Sequence, residues 1–246
     1  MPVPISLNTH YDVPVVEYWG ERGDTARPNE YFGGQIAQFH ALLPGNRKAS
    51  PVALDIGVGM GKAMASLAHA GFEAYGIEPS SSFREFAIGQ TELPADRIKL
   101  ASVEEADFAD NTFDFVTFGA VLEHLPQPAE ALRKAVRWTR PGGLIHVEVP
   151  SSDWLMARLV DAAYRAQGLD YTCHLSPLHV PYHLYEFTAK SFDSFAAQTG
   201  CQVAYRRLFV GETYAPRWLD PLLKRVMEAT QTGMQLEVWL RTASEA

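Results

Sequence analysis

Cysteine is nearly missing from this chain. Of its 246 residues only Cys173 and Cys201 are cysteines, and they share no CxxC spacing. That rules out a disulfide framework or a cysteine-rich zinc site and suits a reducing compartment. Positive charge is also short, with 21 Lys and Arg against 29 Asp and Glu and a formal net charge of −8. Basic residues cluster no further than adjacent pairs such as Arg206-Arg207. An acidic surface repels phosphate backbones, so no nucleic-acid partner is expected. No run approaches the ~18 apolar residues a membrane span needs, so no membrane partner is expected either. The start, Met1-Pro2-Val3-Pro4, lacks the basic and apolar regions of a secretory leader. The expected location is cytoplasmic. Apolar residues, at 47%, are ample for a sizeable core, and the length suits one domain over residues 1–246.

What is present is a rhythm of strands and helices. Val52–Ile56 reads as a strand, Lys62–Ala70 as a helix closed by Gly71, and Glu73–Ile77 as a second strand ended by Glu78-Pro79. Ser80–Gln90 reads as a helix with Ser80, Ser81 or Ser82 as its cap. Arg97–Ala101 and Phe113–Phe118 follow as strands. Pro128–Thr139 is the next helix, then the turn Pro141-Gly142-Gly143 and the strand Leu144–Val149. Thr188–Thr199 resumes as a helix ended by Gly200. Gln202–Val210 and Gln235–Arg241 are strands flanking the helix Leu219–Thr230. Alternation of this kind means βαβ units and a doubly wound, mostly parallel sheet. Two stretches stand outside it. Residues 1–45 form a Pro- and aromatic-rich arm with a short helix presenting Phe32, Ile36, Phe39 and Leu43 on one side. Residues 150–187 are an insertion after the fifth strand, where such a sheet places its ligand crevice.

The most informative run is Leu54-Asp55-Ile56-Gly57-Val58-Gly59-Met60-Gly61. A strand enters a turn stripped of side chains, which lets a ligand approach the main chain. A P-loop is excluded: position 56 is Ile, and Ala63 follows Lys62 where a hydroxyl is needed. The dinucleotide fingerprint loses its third glycine to Lys62, and Asp55 would face a pyrophosphate. A cationic ligand reverses that last objection. Asp55 suits an ammonium or sulfonium, and Glu78, 21 residues beyond Gly57, suits the two hydroxyls of a ribose. The pair predicts an adenosine-bearing, positively charged ligand without a pyrophosphate.

In motif order over roughly residues 50–200, the chain resembles the class I S-adenosylmethionine-dependent methyltransferases. The resemblance is strongest to the small-molecule branch that includes the ubiquinone-biosynthesis methyltransferases. It implies a Rossmann-like sheet of seven strands, with S-adenosyl-L-methionine as cofactor. Asp55, Gly57, Gly59 and Gly61 match the first motif, and Glu78 with Pro79 the ribose site. Ser102, Val103 and Glu104 match the adenine segment, and Gly119 opens the flanking run Gly119–Leu125. Asp107–Asp114 and Arg140–Gly143 resemble the family's runs before the fourth and fifth strands. Ser102 stands where the family often has Asp. The ubiquinone branch also carries a metal-holding Glu three residues before its Glu-His pair; here that position is Ala120, so no metal is expected.

The acceptor side rests on histidines and aromatics. His124, His179 and His183 are the candidate catalytic groups for taking a proton from the acceptor. His124 also reads as a helix-start residue bonded to backbone, His183 as a capping contact before the next helix, and His146 as a packed core residue. His179 and His183 have i,i+4 metal spacing, but Pro181 stands between them, and the segment reads better as a polar aromatic lid. Tyr18, Trp19, Tyr182 and Tyr185 are the candidate acceptor-binding residues. The arm's aromatics either pack on the sheet or close over the cofactor. No Asp/Asn-Pro-Pro-aromatic run follows the fourth strand, which reads Thr117-Phe118-Gly119-Ala120, and no Pro-Cys nucleophile exists. The expected reaction is methyl transfer to an O, N or C atom of a small metabolite. Two alternatives stand beside it, an NAD(P)-dependent oxidoreductase and a non-catalytic partner subunit that binds the cofactor.

Overall fold

Val52–Ile56 forms β1, and its inner residues Ala53, Leu54, Asp55 and Ile56 are all buried. Burial on both faces is the mark of a central parallel strand covered by helices on either side. A computed structural model describes residues 31–43, 50–91, 93–170, 183–211, 213 and 215–244. Among these, one sheet of seven strands runs in the order β3-β2-β1-β4-β5-β7-β6. The other strands are β2 (Glu73–Glu78), β3 (Ile98–Leu100), β4 (Phe113–Gly119), β5 (Thr139–Pro150), β6 (Gln202–Phe209) and β7 (Gln235–Arg241). β1 pairs in parallel with β2 and β4, and β4 with β5; β7 is antiparallel to both β5 and β6. The chain winds outward from β1 in one direction, then resumes at β4 on the other side. That reversal places a crevice at the tips of β1 and β4.

Alternation along the strands makes two cores. Leu54, Ile56, Val116, Phe118, Ile145 and Val147 face one side, where α4 (Pro128–Trp138) and α6 (Ala189–Thr199) contribute Ala131, Leu132, Trp138 and Phe192. Ala53, Phe115, Leu144 and Trp239 face the other. There they meet α1 (Gly33–Leu42) through Phe39 and α2 (Lys62–His69) through Met64 and Leu67. The arm residues Phe32 and Phe39 are both buried, with Ile36 and Leu43 partly so, which is the one-sided pattern expected of them. α3 (Ser81–Thr91), α5 (Leu155–Ala166) and α7 (Asp220–Thr230) complete the α-helices among the described residues.

Two local expectations need correction. Thr139–Gly143 is not a helix end and turn; it is the first part of β5. Phe113 pairs with Thr139, the register slips, and pairing resumes at Phe115 with Leu144. A bulge absorbs the extra residues, and Arg140 holds both carboxylate oxygens of Asp114 at 2.9 and 2.8 Å across it. Second, the α6 cap is not His183. Thr188 and Ser191 form a reciprocal capping box there.

Candidate active site

The turn after β1 is held by backbone bonds to its neighbour. The amides of Gly57 and Val58 donate to the carbonyl of Ile77 at 2.9 and 3.2 Å, and Gly61 N–H closes back on Val58 at 2.9 Å. Gly57 has φ +76°, and a Cβ there would lie 2.5 Å from Cγ2 of Val121. The bare turn therefore lets the post-β4 segment pack against it. Gly61, at φ +82°, sits where a Cβ would meet Thr91 and Ala87 of α3. It does the helix-packing work that the dinucleotide fingerprint assigns one residue later.

Asp55 and Glu78 meet beside this turn. Both are buried, at 3% and 6% exposure. Glu78 Oε2 accepts the Gly59 N–H at 2.8 Å, and its Oε1 accepts that of Ser80 at 3.0 Å. Each carboxylate oxygen has two acceptor positions, so both keep one for a ligand hydroxyl. Burial pushes the Asp55 carboxyl up to about 8, with the Glu78 charge adding to it. Burial also raises Glu78, against the two backbone bonds that lower it. Two acids crowded in a desolvated pocket form a site short of positive charge.

The segment Ser102–Glu104, expected to border the adenine, is fixed from two sides. Ser102 donates its N–H and its hydroxyl to the Glu105 carboxylate at 3.2 and 3.1 Å. Val103 is buried and Glu104 exposed. The Lys134 ammonium gathers the carbonyls of Val103, Glu104 and Ala106 at 3.1, 2.6 and 3.1 Å. Gly119 and Pro79 lie exposed at their strand ends.

On the acceptor side, His124 lies on a 3₁₀ turn, Leu122–His124, after β4. Its ring is 5.0 Å from that of His183, edge to face. The segment carrying His183 is stitched to that turn: Leu184 N–H donates to the Glu123 carbonyl at 2.8 Å. Tyr185 donates its hydroxyl to the Pro126 carbonyl at 2.9 Å, so this expected acceptor residue also anchors the loop. Tyr18, Trp19, His179 and Tyr182 lie outside the described residues. His146 is fully buried, as expected, and bonds Thr117 at 2.8 Å through Nδ1.

Sequence reasoning took Glu123 only as half of a Glu-His metal pair lacking a further ligand, and it missed two acids near this rim, Glu148 and Glu237. Glu123 is 2% exposed, its Oε2 has no hydrogen-bond partner, and burial raises it to about 7. Glu148, across the β4–β5 pair from Gly119, is also raised, chiefly by burial. Glu237 faces Glu148 on β7 and accepts the indole N–H of Trp239 at 2.8 Å. The available signal was an acid inside otherwise apolar strands, His146-Val147-Glu148-Val149 and Leu236-Glu237-Val238.

Residues 29–205 match the family model described as "Methyltransferase domain". The chain belongs to this methyltransferase family. A protein of Mycobacterium sp. (strain JLS) described as an uncharacterized methyltransferase is 38% identical over 140 residues, 52% of each chain. The ubiquinone biosynthesis O-methyltransferase of Methylococcus capsulatus is 32% identical over 114 residues, 45% of this chain and 46% of that protein. The chain thus spans about half the length of these curated relatives. Among solved structures, a SAM-dependent methyltransferase from Methanosarcina mazei superposes with a TM-score of 0.59 at 17% identity, covering 86% of this chain and 98% of that one. The [4+2]-cyclase SpnF superposes at 0.60 with 12% identity, covering 99% and 97%. These likenesses show the fold, and SpnF shows that the fold hosts other named activities. By family and fold the cofactor is S-adenosylmethionine. The site fits it: a buried acid pair suits a cationic group and a ribose, and the turn is open at Gly59, where a Cβ would meet nothing nearer than the Gly57 carbonyl oxygen at 4.0 Å.

Proposed function

We propose that this methyltransferase moves the methyl group of S-adenosylmethionine to an O, N or C atom of a small metabolite. The observation that carries the reading is the buried Asp55–Glu78 pair beside the Gly57–Gly61 turn. Asp55 takes the ligand's ammonium, and Glu78 takes ribose hydroxyls with the lone pairs its backbone bonds leave over. Ser102, Val103 and Glu104 border the adenine. The sulfonium supplies the activated methyl group when bound. The chain's own contribution is alignment for in-line displacement, and proton removal where the acceptor needs it. His124 and His183 stand together where such a proton would go, with His179 in the insertion before them. Tyr185, and Tyr18, Trp19 and Tyr182 of the arm and insertion, contribute the acceptor pocket.

A small acceptor is favoured over nucleic acid by the net charge of −8. Among the described residues no helix is long and apolar enough to cross a membrane. A cytoplasmic setting agrees with the scarce cysteines. The oxidoreductase reading fares poorly, because a pyrophosphate would lie against two buried acids.

Calorimetric titration tests the reading. S-adenosylhomocysteine should bind, NAD should not, and Asp55→Ala should lose both binding and methyl transfer in a metabolite screen. Binding of NAD without the homocysteine analogue would sink the proposal. Cofactor binding with no acceptor methylated would favour the non-catalytic subunit.

A further inference from the structure

Three buried polar side chains lie in one row across the middle of the sheet. Asp55 on β1 is in register with Thr117 on β4, and Thr117 with His146 on β5. They stand two residues beyond Ala53, Phe115 and Leu144, so all three point to the face that packs on α1 and α2. Thr117 and His146 are fully buried. Desolvating such a row is costly, and packing alone would be served as well by apolar side chains. The row is tied together. The Thr117 hydroxyl and His146 Nδ1 share a hydrogen bond of 2.8 Å, and His146 Nε2 faces Glu237 Oε1 at 3.5 Å. Burial raises Glu237, but the His146 ring, the Trp239 indole and Arg207 outweigh it and hold this carboxyl below its usual range. An ionised carboxylate at that distance keeps a proton on Nε2. Phe32, Phe115 and Trp239 enclose the imidazole, with ring centroids 5.7, 6.4 and 4.9 Å away, which fixes its plane. The Thr117 hydroxyl is held in turn. Its neighbour on the other side, one strand spacing of ~4.8 Å away, is Asp55.

We propose that Thr117, His146 and Glu237 are positioning residues for Asp55, keeping a fixed polar group beside the carboxyl that takes the ligand's ammonium. The inference rests on the S-adenosylmethionine reading of the site. To pair with a cation Asp55 must ionise, and both burial and the Glu78 charge oppose this. A held hydroxyl dipole next to the carboxyl lessens that cost, whereas an apolar neighbour adds to it. Glu78 lies on β2, across β1 from Thr117, so the hold on the ribose does not depend on the row.

Calorimetry on the full chain with two ligands separates this role from packing. S-adenosylhomocysteine carries the ammonium; 5′-methylthioadenosine is an adenosine thioether without it. Wild type should bind both, the first more tightly. Thr117→Val keeps the shape and loses the hydroxyl. It should weaken S-adenosylhomocysteine by about tenfold, the equivalent of one pH unit on Asp55 ionisation, and leave 5′-methylthioadenosine unchanged. Thr117→Ser restores the hydroxyl and should recover the affinity. Glu237→Gln should show the same selective loss, smaller in size, and it supplies the comparison if Thr117→Val does not fold. In nitrogen-15 NMR the His146 ring signals should move when wild type is saturated with S-adenosylhomocysteine. Equal losses for the two ligands, no loss in either variant, or unmoved His146 signals would each overturn the row. Wild type binding neither ligand would instead defeat the cofactor reading, and the row with it.

Discussion

The two ends of the crevice are built in opposite ways. The end proposed to hold the cofactor is local: strand, turn and helix within Val52–His69, with Glu78 arriving one strand later. Its donors are mostly backbone, and Glu78 is tied to the amides of Gly59 and Ser80. The acceptor end is assembled from segments far apart in the chain, a 3₁₀ turn after β4 and a loop after the insertion, joined by three hydrogen bonds to Glu123 and Pro126. A site made from one supersecondary unit tolerates little change in sequence but is fixed wherever the fold forms. A site made from a long loop and a turn keeps the fold when its residues vary. This contrast is a physical reason for one cofactor to serve many acceptors on a single sheet.

The largest expected effect falls on the local end. Asp55→Ala should weaken S-adenosylhomocysteine binding by about 2–5 kcal/mol, because it removes one partner of a buried charge pair; calorimetry reads this. A weaker effect than for His124→Ala would break the contrast. Next comes Gly57→Ala. It forces a Cβ into the left-handed region and against Val121, and should cost about 2–3 kcal/mol in denaturant unfolding. Pairing it with Val121→Ala should recover part of that loss, since Val121 is where the two ends touch.

Acidity sharpens the comparison further. Free Asp55 keeps its proton up to a pH of about 8. A cationic ligand favours the carboxylate, so binding releases a proton. Affinity for S-adenosylmethionine should rise with pH to about 8 and then level off, by at most ~tenfold per unit. The ligand-free protein should behave in the opposite sense. Its folded-state value is raised, so the contribution to stability is full below the ordinary value of 3.8 and is lost as pH rises through about 8. Melting temperatures across that window should fall for wild type and fall less for Asp55→Asn. A flat binding profile would remove Asp55 from the ligand's cation. The smallest effect belongs to the distal end: Tyr185→Phe loses one bond to the Pro126 carbonyl. It should cost about 1 kcal/mol of stability and leave cofactor affinity unchanged.

The turn after β1 and the acids at the two strand tips were legible in sequence because short-range rules wrote them. Glycines at 57, 59 and 61 force the turn, and an acid at a strand tip has few other uses. β1 and β7 match their expected spans, and the other elements shift by a residue or two at their ends, apart from β5. β5 misled because Pro141-Gly142-Gly143 carries turn chemistry, yet pairing with Phe113 draws the residues before it into the strand as a bulge. His183, a candidate catalytic group, also reads as a capping contact because it precedes α6. Thr188 and Ser191 cap that helix instead, which leaves His183 beside His124. The buried acids Glu148 and Glu237 escaped notice, and the burial of Glu123 with them, because an isolated Glu in a strand or turn gives no sign of which face it takes.

Sequence alone determined the alternating fold, the bare turn and the acid pair, since hydrophobic period, glycine sterics and strand-end position act over a few residues. Tertiary structure decided the rest: that β7 slips between β5 and β6, that Val121 fills the space over Gly57, and that Glu123, His124 and His183 converge. Those outcomes depend on how distant segments share one sheet end, where the path of the connecting chain and the pairing register outweigh any local preference.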